Sequence, residues 1–285
     1  MITVVRPGPL TTVQDRGRPG WAHLGVPRSG ALDAPALARA NRLVGNPDAT
    51  AGLETTLLGC ALRFDRAAVV AVTGAPAPVL VDGAPVGFGT RVAVPAGSTV
   101  DVGRTTAGVR SYLAVAGGID VEPVLGSRST DTLSGLGPPR LAQGMQLPVG
   151  APGAAPTAGL SAGGAGLDGG GGVGGDLVLA VRFGPRDDWV ADAARLLTAT
   201  YTVSPVSNRV GARLNGPALT RARPGELPSE GVVLGAVQVP ADGQPLIFLA
   251  DHPTTGGYPV IAVVDDVTPL AQARPGTTVT FREAE

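Results

Sequence analysis

The first half of the chain consists mainly of short apolar runs separated by Gly, Pro and Asp. Turn signals such as Asp82-Gly83 and Pro95-Ala96-Gly97 recur between the runs at a spacing of roughly 8 to 12 residues, which is typical of an all-β barrel or sandwich. Each β-branched run has the length of one buried strand. The pattern predicts strands over 67–72, 79–81, 91–94, 99–102 and 110–115.

One segment of this half has helical spacing instead. Asp33 can cap the helix, Pro35 fits its first turn, and Gly45 can end it. The side chains that would share one helical face are Leu37, Ala40, Asn41 and Val44.

A second helix is predicted in the other half, after a strand over 177–183. Asp187 or Asp188 can serve as its cap. The residues at helical spacing that would lie on one face are Val190, Ala193, Ala194 and Leu197. The remainder of this half again has the pattern of strands.

The two halves are separated by a tract of almost pure Gly, Ala, Pro and Ser. Such a composition buries too little apolar surface to offset the entropy of ordering the chain. We therefore expect a flexible linker over 150–176 between an N-terminal domain, 1–149, and a C-terminal domain, 177–285.

The stretch 229–259 combines two strongly apolar runs with reactive polar residues. The runs 232–239 and 246–250 are joined by the turn sequence 240–243, which predicts a hairpin. Ser229 and Glu230 precede the first run, and a second polar group follows the other, so both groups should meet at one end of the hairpin. Members of that second group are Asp251, His252, Thr254, Thr255 and Tyr258.

The charge composition excludes several functions. The 285 residues carry a net charge of −1, which gives no footprint for nucleic acid or for an anionic membrane. All 22 basic residues are arginines. Without lysine, the chain cannot carry covalent biotin, form a Schiff base or supply the lysine of a P-loop.

Cysteine and histidine are too scarce for a structural zinc site. The single cysteine, Cys60, lies in an apolar context that predicts a buried, unreactive thiol. His23 and His252 are the only histidines, so no metal site is expected. The first residues show no signal-peptide pattern, and no apolar run approaches about 18 residues. We therefore expect a cytoplasmic protein.

Five motifs, in a fixed order, resemble the biotin-dependent carboxyltransferase-like family. That family includes the C subunit of 5-oxoprolinase, the KipA-like proteins and the carboxyltransferase domain of urea carboxylase. The resemblance implies a mainly β fold of two cyclophilin-like β-barrel domains with a few short helices. The motifs are TVQDRGRPGWAHLGVPRSGALD from Thr12, GSRSTD from Gly126, SNRVGARLNGP from Ser207, the stretch from Ser229, and LAQARPGTTVTF from Leu270.

The resemblance implies the C subunit of an ATP-dependent 5-oxoprolinase, an amide hydrolase active only in complex with the A subunit and a KipI-like B subunit. It would open the lactam of 5-oxoproline to L-glutamate, with ATP bound in the assembled complex. One alternative is a carboxyltransferase that transfers a carboxyl group to urea or a related amide, with biotin carried by another protein. Another is a non-catalytic KipA-like protein that binds a kinase-inhibitor partner. A homo-oligomer of the heterocomplex stays open.

The resemblance gives Gln14, Asp15 and Arg18 functional roles in the first half. Arg18 would offer its planar donor fork to a carboxylate or carboxyl-phosphate, and Gln14 would bind a lactam or urea-like group. The structural alternative is a glycine-bearing turn in which Asp15 pairs with an arginine. Asn208 and Arg209 would likewise line the cleft, unless the arginines here are solvated or pair with Glu226 or Glu230.

Asp251 is the candidate general base, because desolvation would raise the pKa of a carboxyl at a strand end unless arginine or backbone N–H groups compensate. Its alternative role is to hold the following loop. Gly256-Gly257 would let a ligand approach backbone N–H groups. We expect one groove lined by Gln14, Asp15 and Arg18 from the first half and by Asn208, Arg209, Ser229, Glu230, Asp251, Thr254, Thr255, Gly256, Gly257 and Tyr258 from the second.

Overall fold

The computed structural model describes residues 1–153, 175–223, 225 and 227–285. Most of the predicted linker, 150–176, therefore lies outside the described residues. The chain is mainly β, with two α-helices in the described part and a closed barrel, so the predicted fold class is confirmed. Within the same residues, no helix is long and apolar enough to cross a membrane.

The chain forms two compact units, each of which is assembled from separate stretches of sequence. Unit 1 contains Met1–Arg18, Ser29–Asp131 and the residues 135–153. Unit 2 contains Pro19–Arg28, Thr132–Ser134 and the described residues from 175 onward. Two short pieces of the N-terminal half therefore belong to the second unit.

Unit 1 has a six-stranded and a five-stranded antiparallel sheet. The first sheet has the order β11-β1-β4-β9-β6-β7, and the second has the order β2-β3-β10-β5-β8. The strands are β1 Ile2–Arg6, β2 Thr11–Gln14, β3 Gly52–Thr56, β4 Ala61–Phe64, β5 Ala68–Gly74, β6 Val79–Val81, β7 Ala84–Val86, β8 Val92–Val94, β9 Thr99–Val102, β10 Arg110–Val115 and β11 Gln146–Leu147.

One apolar core joins the two sheets of unit 1. Ile2 and Leu62 of the first sheet and Leu53 and Leu113 of the second are all fully buried in it. Cys60 lies in the same core, and burial raises the pKa of its thiol to about 12. The prediction that this thiol is buried is therefore confirmed, and a raised pKa accords with low reactivity.

Helix α1, Ala34–Val44, covers the outer face of the five-stranded sheet, where it contacts β5 and β10. The Asp33 side chain accepts a hydrogen bond from the N–H of Ala36 at 3.0 Å. Gly45 ends the helix in the left-handed conformation, at φ 83°. The predicted cap, terminator and buried face are all confirmed.

Unit 2 is organised around a closed seven-stranded barrel, of order β12-β19-β16-β17-β14-β13-β20. Strand β20 lies between β12, to which it is parallel, and β13, to which it is antiparallel. The strands are β12 Leu177–Phe183, β13 Tyr201–Val203, β14 Gly211–Asn215, β15 Glu230–Gly231, β16 Ala236–Gln238, β17 Leu246–Phe248, β18 Thr255–Gly256, β19 Val260–Val264 and β20 Thr278–Glu283.

The helix predicted after β12 is wrong as a continuous element. Asp187–Trp189 forms a 3-10 turn, and the helix α2 covers only Arg195–Thr198. Val190 between them is extended and bridges to Arg221, while the N–H of Ala222 donates to the carbonyl of Trp189. This tertiary pairing outweighs the local helical spacing. Two further 3-10 turns cover Ala22–Leu24 and Thr268–Gln272.

Candidate functional site

The Asp15 carboxylate organises the turn of the GSRSTD motif in unit 1. One carboxylate oxygen accepts hydrogen bonds from the hydroxyls of Ser127 and Ser129, each at 2.6 Å. The same oxygen accepts from the N–H of Gly17 at 2.7 Å, and the other accepts from the N–H of Arg128 at 2.6 Å. Asp15 is thus bound by hydroxyl and backbone donors, and within the described residues it forms no ion pair with an arginine, contrary to the structural alternative.

A tight turn presents these serines to Asp15. Leu125 and Gly126 both have positive φ, at 52° and 80°, and Val124 pairs with Ser127 across the turn. Gly126 adopts this conformation without steric cost, which explains the glycine at the start of the motif.

Arg18 is buried and fastened to the same turn. Its Nε donates to the carbonyl of Val124 at 3.3 Å, and its Nη2 donates to the carbonyl of Ser129. The side chain is only 1% exposed. These contacts engage part of the guanidinium with the protein's own backbone, and the role of Arg18 as a donor fork for a ligand stays a prediction.

Gln14 lies beside this turn and is fully buried. Its Nε2 donates to the hydroxyl of Thr12 at 3.0 Å and to the carbonyl of Thr130 at 2.9 Å. Its Oε1 has no hydrogen-bond partner among the described residues. The amide therefore ties β2 to the GSRSTD segment and keeps one acceptor available.

Unit 2 holds a buried ion pair between Arg209 and Asp251. Two parallel hydrogen bonds of 2.9 Å join the guanidinium to the carboxylate, and the two side chains are 1% and 0% exposed. The carboxylate also accepts hydrogen bonds from the N–H and the hydroxyl of Thr132, at 2.9 and 2.7 Å. Arg209 is therefore neither solvated nor paired with Glu230, in contrast to the structural alternative, and Glu226 lies outside the described residues.

The partners of Asp251 decide its protonation. Burial raises the pKa of this carboxyl, but the charge and hydrogen bonds of Arg209 and the two donors of Thr132 outweigh burial and hold the pKa below its usual value. A carboxylate with a depressed pKa is a weak base near neutral pH. The compensation by arginine and N–H donors that the sequence left open is therefore present, and the role of Asp251 in a reaction stays a prediction.

Asn208 is exposed and forms a local turn. Its Oδ1 accepts hydrogen bonds from the N–H groups of Val210 and Gly211, at 2.8 and 3.3 Å. This turn leads directly into Arg209 and so fixes the direction from which the arginine enters the protein interior. Its amide nitrogen takes no part in these bonds and stays a candidate ligand contact.

The predicted hairpin in the 229–259 stretch is confirmed. Strands β16 and β17 pair antiparallel, and the N–H of Gly243 donates to the carbonyl of Pro240 in the turn. The two polar groups also meet as predicted, because Glu230 and Gly231 of β15 pair with Gly256 and Thr255 of β18. The hairpin thus carries a small two-stranded ladder, β15–β18, which contains Glu230 and Thr255.

Glu230 in this ladder is held by Arg186, which the sequence did not single out. The guanidinium donates to both carboxylate oxygens, one of them at 3.1 Å. These hydrogen bonds lower the pKa of Glu230, and the pair is partly exposed. Ser229 and Thr255 beside it are exposed, and Thr254 and Tyr258 are half-buried. The exposed residues of the predicted site in unit 2 are Asn208, Ser229 and Thr255.

The glycines of this loop have a packing role. A side chain at Gly256 would begin 2.7 Å from the Nε2 atom of Gln238, and one at Gly257 would begin 3.3 Å from the carbonyl of Leu227. The Gln238 amide uses this space to donate to the carbonyl of Tyr258 at 3.1 Å. At Gly256 the missing side chain makes room for Gln238, and the expected approach of a ligand to the backbone N–H groups stays a prediction.

The candidate site therefore consists of two groups of residues. Unit 1 brings together Gln14, Asp15 and Arg18, and unit 2 holds the Arg209–Asp251 pair and the β15–β18 ladder. A common groove for both groups stays a prediction. Among the described residues, no group of three His, Cys, Asp or Glu side chains could hold a metal ion.

The chain belongs to the carboxyltransferase domain family, subdomains A and B, whose model matches residues 24–283. The resemblance that the five motifs indicate is thereby confirmed. Among individual proteins, the chain is 39% identical to the 5-oxoprolinase C subunit of Escherichia coli strain K12, over 99% of this chain and 90% of that protein. It is 32% identical to the 5-oxoprolinase C subunit of Haemophilus influenzae, again over 99% of this chain and 90% of that protein.

A solved structure supports the same family. Urea amidolyase of K. lactis matches with a TM-score of 0.87 and 31% sequence identity, over 100% of this chain. The chain corresponds to only 19% of that larger protein.

Proposed function

We propose that this chain is the C subunit of an ATP-dependent 5-oxoprolinase that opens the lactam of 5-oxoproline to L-glutamate together with the A and B subunits. The observation that carries this proposal is the 39% identity to the E. coli protein over 99% of this chain and 90% of that protein. Such coverage includes both units, and a shared barrel alone would not account for it. In this proposal the complex is cytoplasmic and active only when assembled.

The buried and exposed residues then have different tasks. Asp15 and the Arg209–Asp251 pair position the backbone around them, because their charged groups are already satisfied inside the protein. Thr255 of the ladder, with Ser229 and Tyr258 beside it, offers hydroxyls that suit the amide and carboxylate groups of 5-oxoproline. Asp251 acts as a positioning residue rather than as the proton acceptor.

The chain offers neither a lysine that could carry biotin nor, among the described ladder residues, a phosphate-binding loop for ATP. Without lysine the chain cannot carry biotin or complete a P-loop. The described ladder residues belong to two antiparallel strands, and they lack the strand, glycine-rich loop and helix that cradle phosphates. In the proposal, ATP is bound in the assembled complex, and no step on this chain passes through it.

The test is a reconstitution with homologues of the A and B subunits from the same genome. Glutamate release from 5-oxoproline with ATP should require all three proteins, and the chain alone should be inactive. A mixture of A and B without this chain is the control. Equal activity of that mixture, or robust activity of the chain alone, would overturn the proposal.

One observation favours a second function, the transfer of a carboxyl group from carboxybiotin on another protein to urea or a related amide. The match to K. lactis urea amidolyase covers the whole of this chain. The two functions differ in their response to avidin, which sequesters biotin. Avidin should abolish amide-dependent carboxyl transfer and leave ATP-dependent glutamate release unchanged.

A further inference from the structure

A cavity of about 620 Å³ lies in unit 1. Gln14, Asp15 and Arg18 are not among the residues that line it. Its walls come from the end of α1, the start of β5, the edge strand β8 and the residues 149–153. Apolar side chains dominate the lining; they include Val44, Phe64, Val69, Val94 and Val149. Both the volume and the apolar character fall in the range of small-molecule sites, roughly 300 to 1,000 Å³.

Two arginines give this cavity a positive charge. Arg66 and Arg91 both line it, both are exposed, and neither has a hydrogen bond or ion pair within the described part of the chain. None of the described lining residues is acidic. Other arginines of unit 1 are neutralised nearby: Arg6 pairs with Asp101, Arg42 with Asp48, and Arg128 with Asp120.

We propose that this cavity binds a small amphipathic carboxylate, with the apolar body of the ligand in the cavity and its carboxylate on Arg66 or Arg91. The planar guanidinium suits a carboxylate through two parallel hydrogen bonds. The apolar walls suit an aliphatic or aromatic body, since every buried methylene adds to binding. This ligand differs from 5-oxoproline, a single small polar ring that would leave most of the cavity empty.

The inference does not depend on the proposed enzymatic function. It uses only the shape, the apolar lining and the two cations of this cavity in unit 1. Its ligand class would be the same if this chain transferred carboxyl groups or only bound a partner protein.

Calorimetric titration of the full chain with fatty carboxylates tests the proposal. Decanoate should bind with saturation at one site, and affinity should fall by about fourfold for each methylene removed from the tail. Decan-1-ol, which has the same tail and no charge, should bind at least about tenfold more weakly than decanoate, because it loses the charge-assisted bonds.

Separate variants test the contribution of the two arginine charges and the position of the ligand in the cavity. Arg66→Gln with Arg91→Gln should weaken decanoate binding by about 10- to 100-fold and change decan-1-ol binding by less than about twofold. The control is Arg63→Gln with Arg104→Gln, which removes the same charge from exposed arginines of unit 1 outside the lining. Ala93→Phe, in edge strand β8, should fill part of the cavity and weaken both ligands.

Three results would each overturn the proposal. They are a failure of decanoate to saturate a single site, an unchanged affinity for decanoate in the Arg66/Arg91 variant, and a loss of decanoate affinity in the control variant equal to that in the Arg66/Arg91 variant. A melting temperature equal to that of the parent shows that each variant is folded and that its binding result counts. If Ala93→Phe lowers the melting temperature, Ala67→Phe, just before β5, serves instead.

Discussion

The guanidinium of Arg209 and the carboxylate of Asp251 face each other through two hydrogen bonds of 2.9 Å, inside the protein where water does not reach either side chain. Removing one charge of such a pair leaves the other buried and uncompensated. From the sequence alone, Asp251→Asn should keep the fold and lower the activity of the assembled complex by about 10²-fold or more. The structure revises that expectation: Asp251→Asn should lower the free energy of unfolding by about 3 to 5 kcal/mol.

Urea denaturation of unit 2 variants measures this effect. A matched control is Asp265→Asn, because Asp265 also binds an arginine, Arg182, through both oxygens, but at the surface. Solvent screens that pair, so its loss should cost less than about 1 kcal/mol. Equal losses in the two variants would mean that the buried pair has no special structural role.

The same pair predicts an acid-dependent stability. Because the folded-state pKa of Asp251 lies below its ordinary value of 3.8, its charge stabilises the fold above that pH and the contribution is lost as the pH falls through the folded-state pKa. The stability gap between the parent and Asp251→Asn should therefore be constant from neutral pH to about pH 5 and shrink below about pH 4. Urea denaturation across that range measures the gap, and a gap that widens on acidification would contradict the prediction.

Asp15 should control the local stability of the GSRSTD turn. Asp15→Asn replaces one carboxylate oxygen by an NH₂ group. Each carboxylate oxygen accepts a backbone N–H, and an NH₂ group cannot accept, so at least one buried hydrogen bond is lost. We expect a loss of at least about 2 kcal/mol and faster hydrogen exchange at the amides of Gly17 and Arg128. Asp82→Asn is the control, since Asp82 also accepts an N–H, from Thr99, at the surface. Unchanged exchange at both amides in Asp15→Asn would show that the turn is held by other contacts.

Variants of two tyrosines in unit 2 distinguish an effect on ligand binding from an effect on folding. The half-buried Tyr258 hydroxyl has no hydrogen-bond partner within the described residues, and under the proposed function it contacts substrate. Tyr258→Phe should raise the KM of the assembled complex for 5-oxoproline by about 3- to 10-fold, the loss expected for one neutral hydrogen bond, and leave the melting temperature unchanged.

Tyr201→Phe is the counterpart of that variant. The Tyr201 hydroxyl is buried, also without a partner among the described residues, and its ring packs edge-on against Phe281. Removing an unsatisfied buried hydroxyl should leave stability equal or raise it by about 1 kcal/mol, with no change in KM. A KM effect in Tyr201→Phe equal to that in Tyr258→Phe would place the binding role elsewhere.

Local patterns in the sequence predicted most of the fold. The strands over 79–81, 99–102, 110–115 and 177–183 have the predicted bounds, because each is an apolar run between turn residues. Helix α1 was equally clear from its cap and terminator. The failure came after β12, where Val190 pairs with Arg221 instead of continuing a helix, a long-range contact that helical spacing cannot reveal.

Less of the candidate site could be predicted, for the same physical reason. The residue types in the site were evident, and so was the meeting of Glu230 with the loop after Asp251. Their partners were not, since Ser127 and Ser129 lie more than 100 positions from Asp15, and Thr132 is as far from Asp251. Such partners decide which carboxylate is exposed and which has its hydrogen bonds satisfied inside the protein. The pattern of a single sequence does not reveal these long-range contacts.

The position of β20 in the barrel has a consequence for how unit 2 folds. Its residue Val279 pairs with both Leu177 of β12 and Tyr201 of β13, so β20 joins two barrel strands that lie much earlier in the sequence. Until β20 leaves the ribosome, β12 and β13 present unpaired edges to other chains. Bringing such distant segments together also slows folding, by the entropy of closing a loop of about 100 residues. We therefore expect nascent unit 2 to be most exposed to aggregation, and to chaperones, just before β20 is made.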